Sequence, residues 1–241
     1  MSPSQAIDYV CANGLSYLDR RALKELSETA LEVEKRGLEG VWVETGCALG
    51  GSAIVLAACK SAERPFHIYD TFELIHPPAD LDGKKAQRRY AEIASGKSKG
   101  IKGVYHGYRP QLQQEVMETF QRLGLMAGVQ FVRGRFEQTL DISFPVALAH
   151  VDCDWHDSVQ LCLERITSKL VPGGRLVIDD YHTWDGCRLA VDAFFRNRTE
   201  FRFHRRARLH ITRETSALKG TAAPMRAEES RENARARAGH P

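Results

Sequence analysis

The sequence predicts an α/β fold, an open and doubly wound sheet that is mostly parallel and closes with an antiparallel edge. Short apolar runs alternate along the chain with amphipathic stretches of helical period, as they do in successive βαβ units. The segment 201–213 instead alternates on both sides of a basic turn, as two antiparallel strands do. Acidic residues follow two of the apolar runs, and the ligands of open α/β sheets bind at this end of the strands. We therefore expect a ligand site there.

Amphipathic segments and apolar runs set the expected order of elements. The segment 16–36 has apolar side chains on one helical face and charges on the other, which predicts a helix before the first strand. The predicted parallel strands are 40–43, 66–69, 129–133, 146–151 and 175–178. The predicted helices between and after them are 51–60, 111–123, 158–170 and 187–195. The Pro172-Gly173-Gly174 sequence is expected to end the helix 158–170.

The segment 75–108 interrupts the alternation. Prolines, glycines and lysines surround one predicted helix, 84–94. Compact domains seldom carry idle loops of this length, which favours a lid or substrate loop over a disordered linker. We therefore predict one domain over residues 1–213, with a helical segment at 1–39 and this insertion at about 75–108. The tail 214–241 is rich in alanine, glutamate and arginine and is predicted to be disordered.

Composition limits the class of protein. The 241 residues are enough for one well-buried domain, and a net charge of +3 is too small to predict a nucleic-acid partner. The six cysteines show no spacing typical of a disulfide framework. The N-terminus does not resemble a signal peptide, and no apolar run reaches membrane-spanning length. We therefore expect a cytoplasmic protein with neither a membrane nor a nucleic-acid partner.

Positive charge is concentrated near the end of the predicted domain. Only Glu200 opposes seven arginines there, which are Arg196, Arg198, Arg202, Arg205, Arg206, Arg208 and Arg213. The pattern favours a solvated arginine-rich hairpin. An anionic substrate or partner is the alternative.

The glycine-bearing turn 44–52 joins the first predicted strand to a helix. Glycines let a ligand approach the backbone, and a helix start presents free N–H groups. Asp70 ends the next strand, where a carboxylate can accept from a ribose diol. Gly46 and Gly50 are spaced G-x-x-x-G instead of G-x-G-x-x-G, and Glu44 favours a cationic ligand such as S-adenosylmethionine over a diphosphate. The alternative is a turn that only packs a helix on the sheet.

Three carboxylates, those of Asp152, Asp179 and Asp180, follow two neighbouring predicted strands. Carboxylate oxygens that converge at strand ends suit a hard cation, and Mg²⁺ accepts a partial cage of this kind. The alternative for Asp179 or Asp180 is a capping role at a turn.

Asp154 lies two residues beyond Asp152, so on a continuing strand it faces the same side. This placement makes it a candidate general base outside the metal ligands. A zinc interpretation of His150, Cys153 and His156 is disfavoured, because strand alternation sends His150 and Cys153 to opposite faces and no second cysteine pair follows.

Five segments together resemble the macrocin-type (TylF-like) sugar O-methyltransferases, which are class I methyltransferases. The segments are VETGCALGGSA (43–53), IYDTFEL (68–74), VDCDWHDSV (151–159), PGGRLVIDDY (172–181) and GCRLAVDAFF (186–195). The similarity runs from about residue 14 to 213. It implies a seven-stranded Rossmann-like fold with an antiparallel last strand and helices on both faces. It also implies S-adenosylmethionine, Mg²⁺, a homodimer, and a hydroxyl acceptor on a sugar, a phenolic natural product or a polysaccharide.

The resemblance also assigns residues. It makes Asp152, Asp179 and Asp180 the metal ligands, Asp154 the base and Asp70 the ribose-binding acid. The remaining implied cofactor contacts are Glu44, Gly46 and Ser52 at the methionine end, Gly134 to Phe136 at the adenine, and Thr45, Gly50, Thr71 and Asp152. His156 departs from the family pattern, in which this position is usually aromatic.

Two other functions share the predicted sheet. A nicotinamide-dependent oxidoreductase needs a diphosphate-binding glycine turn and a proton donor such as Tyr-x-x-x-Lys, and neither is visible. A non-catalytic module that retained cofactor binding is the second alternative.

Overall fold

A computed structural model describes residues 1–101 and 103–215 of the chain. Within these residues seven strands form one sheet, and eight α-helices surround it. The strands are β1 (Val41–Thr45), β2 (Phe66–Asp70), β3 (Val129–Arg133), β4 (Val146–Val151), β5 (Leu170–Ile178), β6 (Phe201–Arg205) and β7 (Leu209–Arg213). The helices are α1 (Pro3–Asn13), α2 (Arg20–Lys35), α3 (Gly51–Cys59), α4 (Gly83–Ala94), α5 (Leu112–Leu123), α6 (Phe136–Thr139), α7 (His156–Thr167) and α8 (Asp185–Phe195).

The sheet has the strand order β3-β2-β1-β4-β5-β7-β6. The pairs from β3 to β5 are parallel, whereas β7 runs antiparallel to both β5 and β6. The chain moves outwards from β1 to β3 and then returns to place β4 on the other side of β1. This reversal of direction opens a crevice at the carboxyl ends of β1 and β4. The α/β fold with an antiparallel edge is therefore as predicted.

The two faces of the sheet have separate apolar layers. On one face Leu23 of α2, Ile54 of α3 and Phe120 of α5 are fully buried with Trp42 of β1. On the other face Leu163 of α7 and Val191 of α8 are equally buried against β4 and β5. Helices cover both faces, which is why every residue of the central strands β1 and β4 is buried and most of them are apolar.

Strand register determines where the acidic residues emerge. Val151 pairs with Ile178, so the next residues, Asp152 and Asp179, leave the sheet side by side. Backbone hydrogen bonds continue the ladder there, because the Asp179 N–H donates to the Val151 carbonyl over 3.0 Å. The carboxylates predicted to converge therefore start from adjacent backbone positions.

Two predicted boundaries near Pro172 were wrong. Helix α7 ends at Thr167, and β5 already begins at Leu170. The Pro172-Gly173-Gly174 sequence lies inside β5, where the pairing with β4 shifts register between Val146 and Leu148. Gly173, with φ of +82°, adopts the left-handed conformation that this irregularity needs. The glycines therefore make a bulge within a strand instead of ending a helix.

The N-terminal helix α1 was not predicted as a separate element. Ser2 caps it in a capping box with Gln5, and Pro3 occupies its first turn. The insertion contains the expected helix as α4, between short 3₁₀ turns at Asp80–Asp82 and His106–Tyr108. Among the described helices, none is both long and apolar enough to cross a bilayer. Most of the tail, from residue 216, lies outside the described residues, so its disorder remains a prediction.

Candidate active site

A cavity of about 370 Å³ opens at the carboxyl ends of β1, β2, β4 and β5. One wall consists of the aspartates that follow β4 and β5, and another consists of the glycine turn and Asp70. The third wall comes from the insertion and from Tyr17, which precedes α2. The four candidate aspartates that follow β4 and β5, together with part of the glycine turn, thus line one cavity.

The acidic wall brings together Asp152, Asp179 and a histidine. One potential ligand atom from each of His150, Asp152 and Asp179 lies within 4.8 Å of the other two. Asp180 lines the same cavity but is not in this group, and its Oδ2 accepts from the Asp154 N–H over 3.2 Å. Asp179 caps no backbone N–H of the turn that follows it. A capping role therefore does not explain why Asp179 is buried.

His150 links three strands through its side chain and was not identified as a site residue from the sequence. Its Nδ1 lies 2.8 Å from Oε1 of Glu44 in β1, and its Nε2 lies 3.9 Å from Oδ1 of Asp179. His150 and Glu44 are both fully buried. Burial lowers the pKa of His150, but the hydrogen bond to Glu44 and the negative charges of Glu44 and Asp179 outweigh it and raise the pKa to about 9. The ring is therefore protonated at neutral pH unless a cation displaces the proton.

Arg208, in the turn between β6 and β7, was expected on a solvated hairpin but lies in this wall. Its Nε donates to Asp179 Oδ1 over 2.7 Å, and its side chain is only 21% exposed. Burial opposes ionisation of Asp179, yet His150 and Arg208 hold its pKa below the usual range. The other arginines of that segment follow the prediction better, since Arg196 and Arg205 are exposed.

The neighbouring carboxylates have no comparable compensation. Burial, followed by the negative charges of Asp179 and Asp180, raises the pKa of Asp152 well above its usual value. Burial and the charge of Asp154 do the same to Asp180. A hard divalent cation would relieve this repulsion, and these oxygens are the ligands Mg²⁺ prefers. The carboxylates of Asp152, Asp179 and Asp180 therefore fit Mg²⁺ as ligands. His150 is placed to act on Asp179 as a neighbouring positive charge, and we do not count it among the ligands.

Asp154 follows the strand in an unusual conformation. Its φ of +58° lies in the left-handed region, which non-glycine residues seldom adopt. Its Oδ1 accepts from Trp184 Nε1 over 2.9 Å. Burial raises the pKa of Asp154 to about 6, although the Trp184 hydrogen bond opposes the rise. A carboxylate with this pKa can both lose and accept a proton near neutrality.

The glycine turn is held in shape by Asp70. Its Oδ2 accepts from the N–H groups of Cys47 (2.7 Å) and Ala48 (3.1 Å), and its Oδ1 accepts from Phe72 (2.6 Å). Gly46 is required by packing, because a Cβ there would lie 1.8 Å from the Asp152 carbonyl oxygen. The turn therefore brings the backbone of β1 directly against the end of β4.

The predicted cofactor residues divide into two groups. Five of them line the cavity, namely Gly46, Asp70, Thr71, Phe136 and Asp152. The others do not line it, namely Glu44, Thr45, Gly50, Ser52 and Gly134. Glu44 and Thr45 are fully buried and Ser52 is 3% exposed. Glu44 and Thr45 lie in β1 and Ser52 lies in α3, the two elements that the turn joins.

The wall formed by the insertion is aromatic. The sequence predicted the insertion but did not identify which of its residues line the site. Tyr105 is buried, and its ring centroid lies 4.2 Å from that of His106. The guanidinium of Arg89 lies 5.9 Å from the Tyr105 ring, and Tyr17 Oη lies 3.4 Å from His106 Nδ1. Burial lowers the pKa of His106 to about 4, so its imidazole is neutral at pH 7.

A family model supplies the comparison that decides the family. The model for macrocin O-methyltransferase (TylF) matches residues 5–202. The chain belongs to the TylF family. The resemblance stated from the sequence motifs is thereby confirmed.

Two curated relatives match this TylF-family chain over most of its length. One is the 8-demethyl-8-(2,3-dimethoxy-alpha-L-rhamnosyl)-tetracenomycin-C 4'-O-methyltransferase of Streptomyces olivaceus, 34% identical over 185 residues, or 74% of this chain. The other is the demethyldecarbamoylnovobiocin O-methyltransferase of Streptomyces niveus, 26% identical over 191 residues, or 76% of this chain. The matches span 64% and 68% of the relatives' own lengths.

Solved structures show the same architecture. The O-methyltransferase NovP superposes with a TM-score of 0.69 at 21% identity, covering 83% of each chain. CalS11, the TDP-rhamnose 3'-O-methyltransferase of calicheamicin biosynthesis, gives a TM-score of 0.54 at 18% identity, covering 87% of this chain and 92% of its own. The fold of this TylF-family chain is therefore the Rossmann-like fold of class I methyltransferases, as expected.

Proposed function

We propose that this chain is a Mg²⁺-dependent O-methyltransferase that uses S-adenosylmethionine to methylate a hydroxyl of a glycosylated or phenolic natural product. One observation carries the proposal: Asp152, Asp154 and Asp179 face the same cavity as the glycine turn. The two curated relatives named above are O-methyltransferases of natural products, and the name of one of them specifies a rhamnosyl-bearing substrate. Family membership and the G-x-x-x-G turn favour this function over nicotinamide chemistry.

The cofactor fits along the wall formed by the glycine turn. Gly46 and Ala48 present backbone to the cavity, and Asp70 and Thr71 follow β2 beside them. Phe136, at the start of α6, offers a ring face to an adenine. S-adenosylmethionine supplies a methyl group on a sulfonium when bound there. Asp70 keeps the backbone of the turn in position and offers the one acceptor site left on its Oδ1 to a ribose hydroxyl.

The acidic wall fits the metal ion and the acceptor hydroxyl. Asp152, Asp179 and Asp180 would hold Mg²⁺, which when bound lowers the pKa of a nearby hydroxyl and fixes its oxygen. Asp154 then accepts the hydroxyl proton as the methyl group is transferred. Trp184 keeps the Asp154 carboxylate turned into the cavity. Orientation of the two reactants can contribute roughly 7–11 kcal/mol in favourable model systems.

The insertion would serve as the lid over the acceptor. Tyr105, His106 and Arg89 line the cavity opposite the aspartates, together with Tyr17. Aromatic side chains suit the apolar faces of a sugar or the ring of a phenol, and they exclude water from the reaction. The neutral His106 and the Tyr17 hydroxyl can donate or accept hydrogen bonds to acceptor hydroxyls.

Calorimetric titration with S-adenosylmethionine and S-adenosylhomocysteine, followed by a methyl-transfer screen, tests the proposal. We expect micromolar cofactor binding, and transfer to glycosides or phenols that EDTA stops and Mg²⁺ restores. A protein that shows no cofactor binding at saturation would contradict the function. Turnover that ignores EDTA would reject the metal role alone. The homodimer remains a prediction, and light scattering of the purified protein tests it.

A further inference from the structure

Asp82, in the insertion, is one of the most completely buried carboxylates among the described residues. It is 1% exposed, although it lies in a polar segment that carries no apolar pattern. Its Oδ2 accepts from the N–H of Ala79 over 2.8 Å, and its Oδ1 accepts from the N–H of His156 over 2.6 Å. The second bond crosses 74 residues of sequence and ends two positions after Asp154.

This bond supplies a cap that α7 lacks locally. The residue at the N-cap of α7 is Trp155, whose side chain makes no capping hydrogen bond. Carboxylates at helix N-termini satisfy free N–H groups and interact favourably with the helix dipole. Asp82 therefore caps, from the insertion, the helix that begins directly after the loop carrying Asp154.

Helix α8 approaches the same carboxylate from its other side. A Cβ built on Gly186, the second residue of α8, would lie 1.9 Å from Asp82 Oδ1. Alanine is ordinarily more favourable than glycine within a helix, so helix propensity does not explain this glycine. The starts of α7 and α8 thus meet at the Asp82 side chain.

Three further contacts join the same part of the insertion to the loops that carry Asp154 and Trp184. Trp155 Nε1 donates to the His76 carbonyl over 2.8 Å. Lys85 Nζ donates to the Thr183 carbonyl over 2.8 Å and lies 4.8 Å from the centroid of the Trp184 ring. The segment 76–85 is therefore attached to both loops.

We infer that Asp82 is a positioning residue, which holds the loop 152–156 so that the Asp154 carboxylate stays directed into the cavity. The left-handed backbone of Asp154 is strained and persists only if its surroundings hold it there. The Asp82 anchor fixes the chain just beyond that strained residue. The inference rests on the proposed function for the role of Asp154, whereas the anchor itself is a property of the fold.

Substitution of Asp82 tests the inference against a matched control. Asp82→Ala removes both acceptor oxygens, Asp82→Asn keeps one, and Asp80→Ala removes an exposed carboxylate of the same 3₁₀ turn. In Asp82→Ala we expect kcat to fall about tenfold to 100-fold, since small displacements of reacting groups have effects of this size. The dissociation constant of S-adenosylmethionine should change less than about twofold. Asp82→Asn should fall between, and Asp80→Ala should match the unmodified protein.

Hydrogen exchange reports on the anchor without any turnover. In Asp82→Ala the amides of residues 153–158 should exchange at least about tenfold faster, while those of the central strands keep their protection. Exchange unchanged at 153–158 would overturn the inference, as would a kcat loss fully explained by unfolded protein. If the unmodified protein transfers no methyl group, the proposed function fails, and exchange alone decides whether the anchor exists.

Gly186→Ala approaches the same contact from the other helix. Its Cβ would displace the Asp82 carboxylate, so this variant should accelerate exchange at 153–158 and lower kcat as Asp82→Ala does. The double variant should be no worse than either single one, because the two changes break one contact. Additive losses would show that the two residues act independently and would contradict the anchor.

Discussion

The glycine turn and the acidic wall line the same cavity, and their charges are balanced in different ways. In the turn, the single carboxylate of Asp70 accepts three backbone hydrogen bonds. In the wall, Arg208 and His150 compensate Asp179, while repulsion and burial raise the pKa values of Asp152 and Asp180. The carboxylate in the turn is thus compensated by backbone N–H groups of the turn, whereas the carboxylates of the wall favour an added cation.

This difference predicts opposite changes in stability when a carboxylate is removed from the turn and when one is neutralised in the wall. A carboxylate that stabilises its own loop should cost stability when it is removed. A buried carboxylate repelled by its neighbours should give stability back when it is neutralised. Variants on the two sides should therefore change the melting temperature in opposite directions.

The largest effect is expected from Asp152→Asn. The side chain of Asp152 makes no hydrogen bond among the described residues, so an isosteric amide removes only its charge and its value as a metal ligand. Methyl transfer should fall about 1,000-fold, since a metal ion contributes several kcal/mol to such reactions. In EDTA the melting temperature should rise by about 3 °C, the shift for about 1 kcal/mol.

The same melting temperatures should also be measured with Mg²⁺ in place of EDTA. Mg²⁺ should raise the melting temperature of the unmodified protein and leave that of Asp152→Asn unchanged. The Mg²⁺ effect should weaken as pH falls, because protons compete for carboxylates whose pKa values are raised. A lower melting temperature of Asp152→Asn in EDTA would show that the wall is not under charge repulsion, and the comparison would fail.

Asp154→Asn should lower kcat about 100-fold, the lower end of the range for general-base catalysis, and leave cofactor affinity intact. Burial holds the pKa of Asp154 at about 6. The base must be ionised to accept a proton, so the rate of the unmodified protein should fall as pH drops below about 6. At Mg²⁺ concentrations that saturate the protein at every pH, this acid limb should be absent from the residual rate of the variant. A limb that persists would assign it to another group.

In the glycine turn, Asp70→Ala should weaken S-adenosylmethionine binding about tenfold and lower the free energy of unfolding by about 2 kcal/mol. The reason is that the N–H groups of Cys47, Ala48 and Phe72 lose their acceptor. Asp141→Asn, at an exposed position, serves as the charge-matched control. Calorimetry and chemical denaturation measure both quantities. A variant as stable as the control would mean that the turn does not depend on Asp70.

The smallest effect is expected from Trp184→Phe. It removes the N–H that hydrogen-bonds Asp154 and opposes the rise of its pKa, while an aromatic ring stays beside Trp155. The acid limb of the pH profile should therefore move to higher pH. The rate should fall about threefold at pH 6 and hardly at pH 8. A profile that moves to lower pH would contradict the role of this bond.

The sequence predicted those parts of the site that depend on strand ends. Asp152 and Asp179 follow apolar runs, so the register of a parallel sheet was enough to bring them together. His150 could have been found by the same rule, because residues two apart on a strand share a face with Asp152. It was considered only as a zinc ligand, and its partner Glu44 was assigned to the cofactor.

Residues joined only by tertiary structure were not predictable. Arg208 reaches Asp179 from a hairpin whose charges look solvated in the sequence, and Asp82 lies in an insertion without periodicity. The bulge at Gly173 was wrongly predicted as a helix end because proline and glycine mark both features. In contrast, α1 had a readable signal in Ser2, Pro3 and Gln5, which form a capping box with a proline in the first turn.

The pairing of Arg208 with Asp179 has a consequence for how the protein is made. Translation proceeds from the N-terminus, so the five parallel strands leave the ribosome before the hairpin that carries Arg208. Until that hairpin docks, Asp179 lacks its guanidinium partner and its carboxylate adds to the repulsion at the strand ends. The acidic wall of the candidate site thus gains its guanidinium only when this last hairpin docks, and any truncation before residue 208 removes that counter-charge.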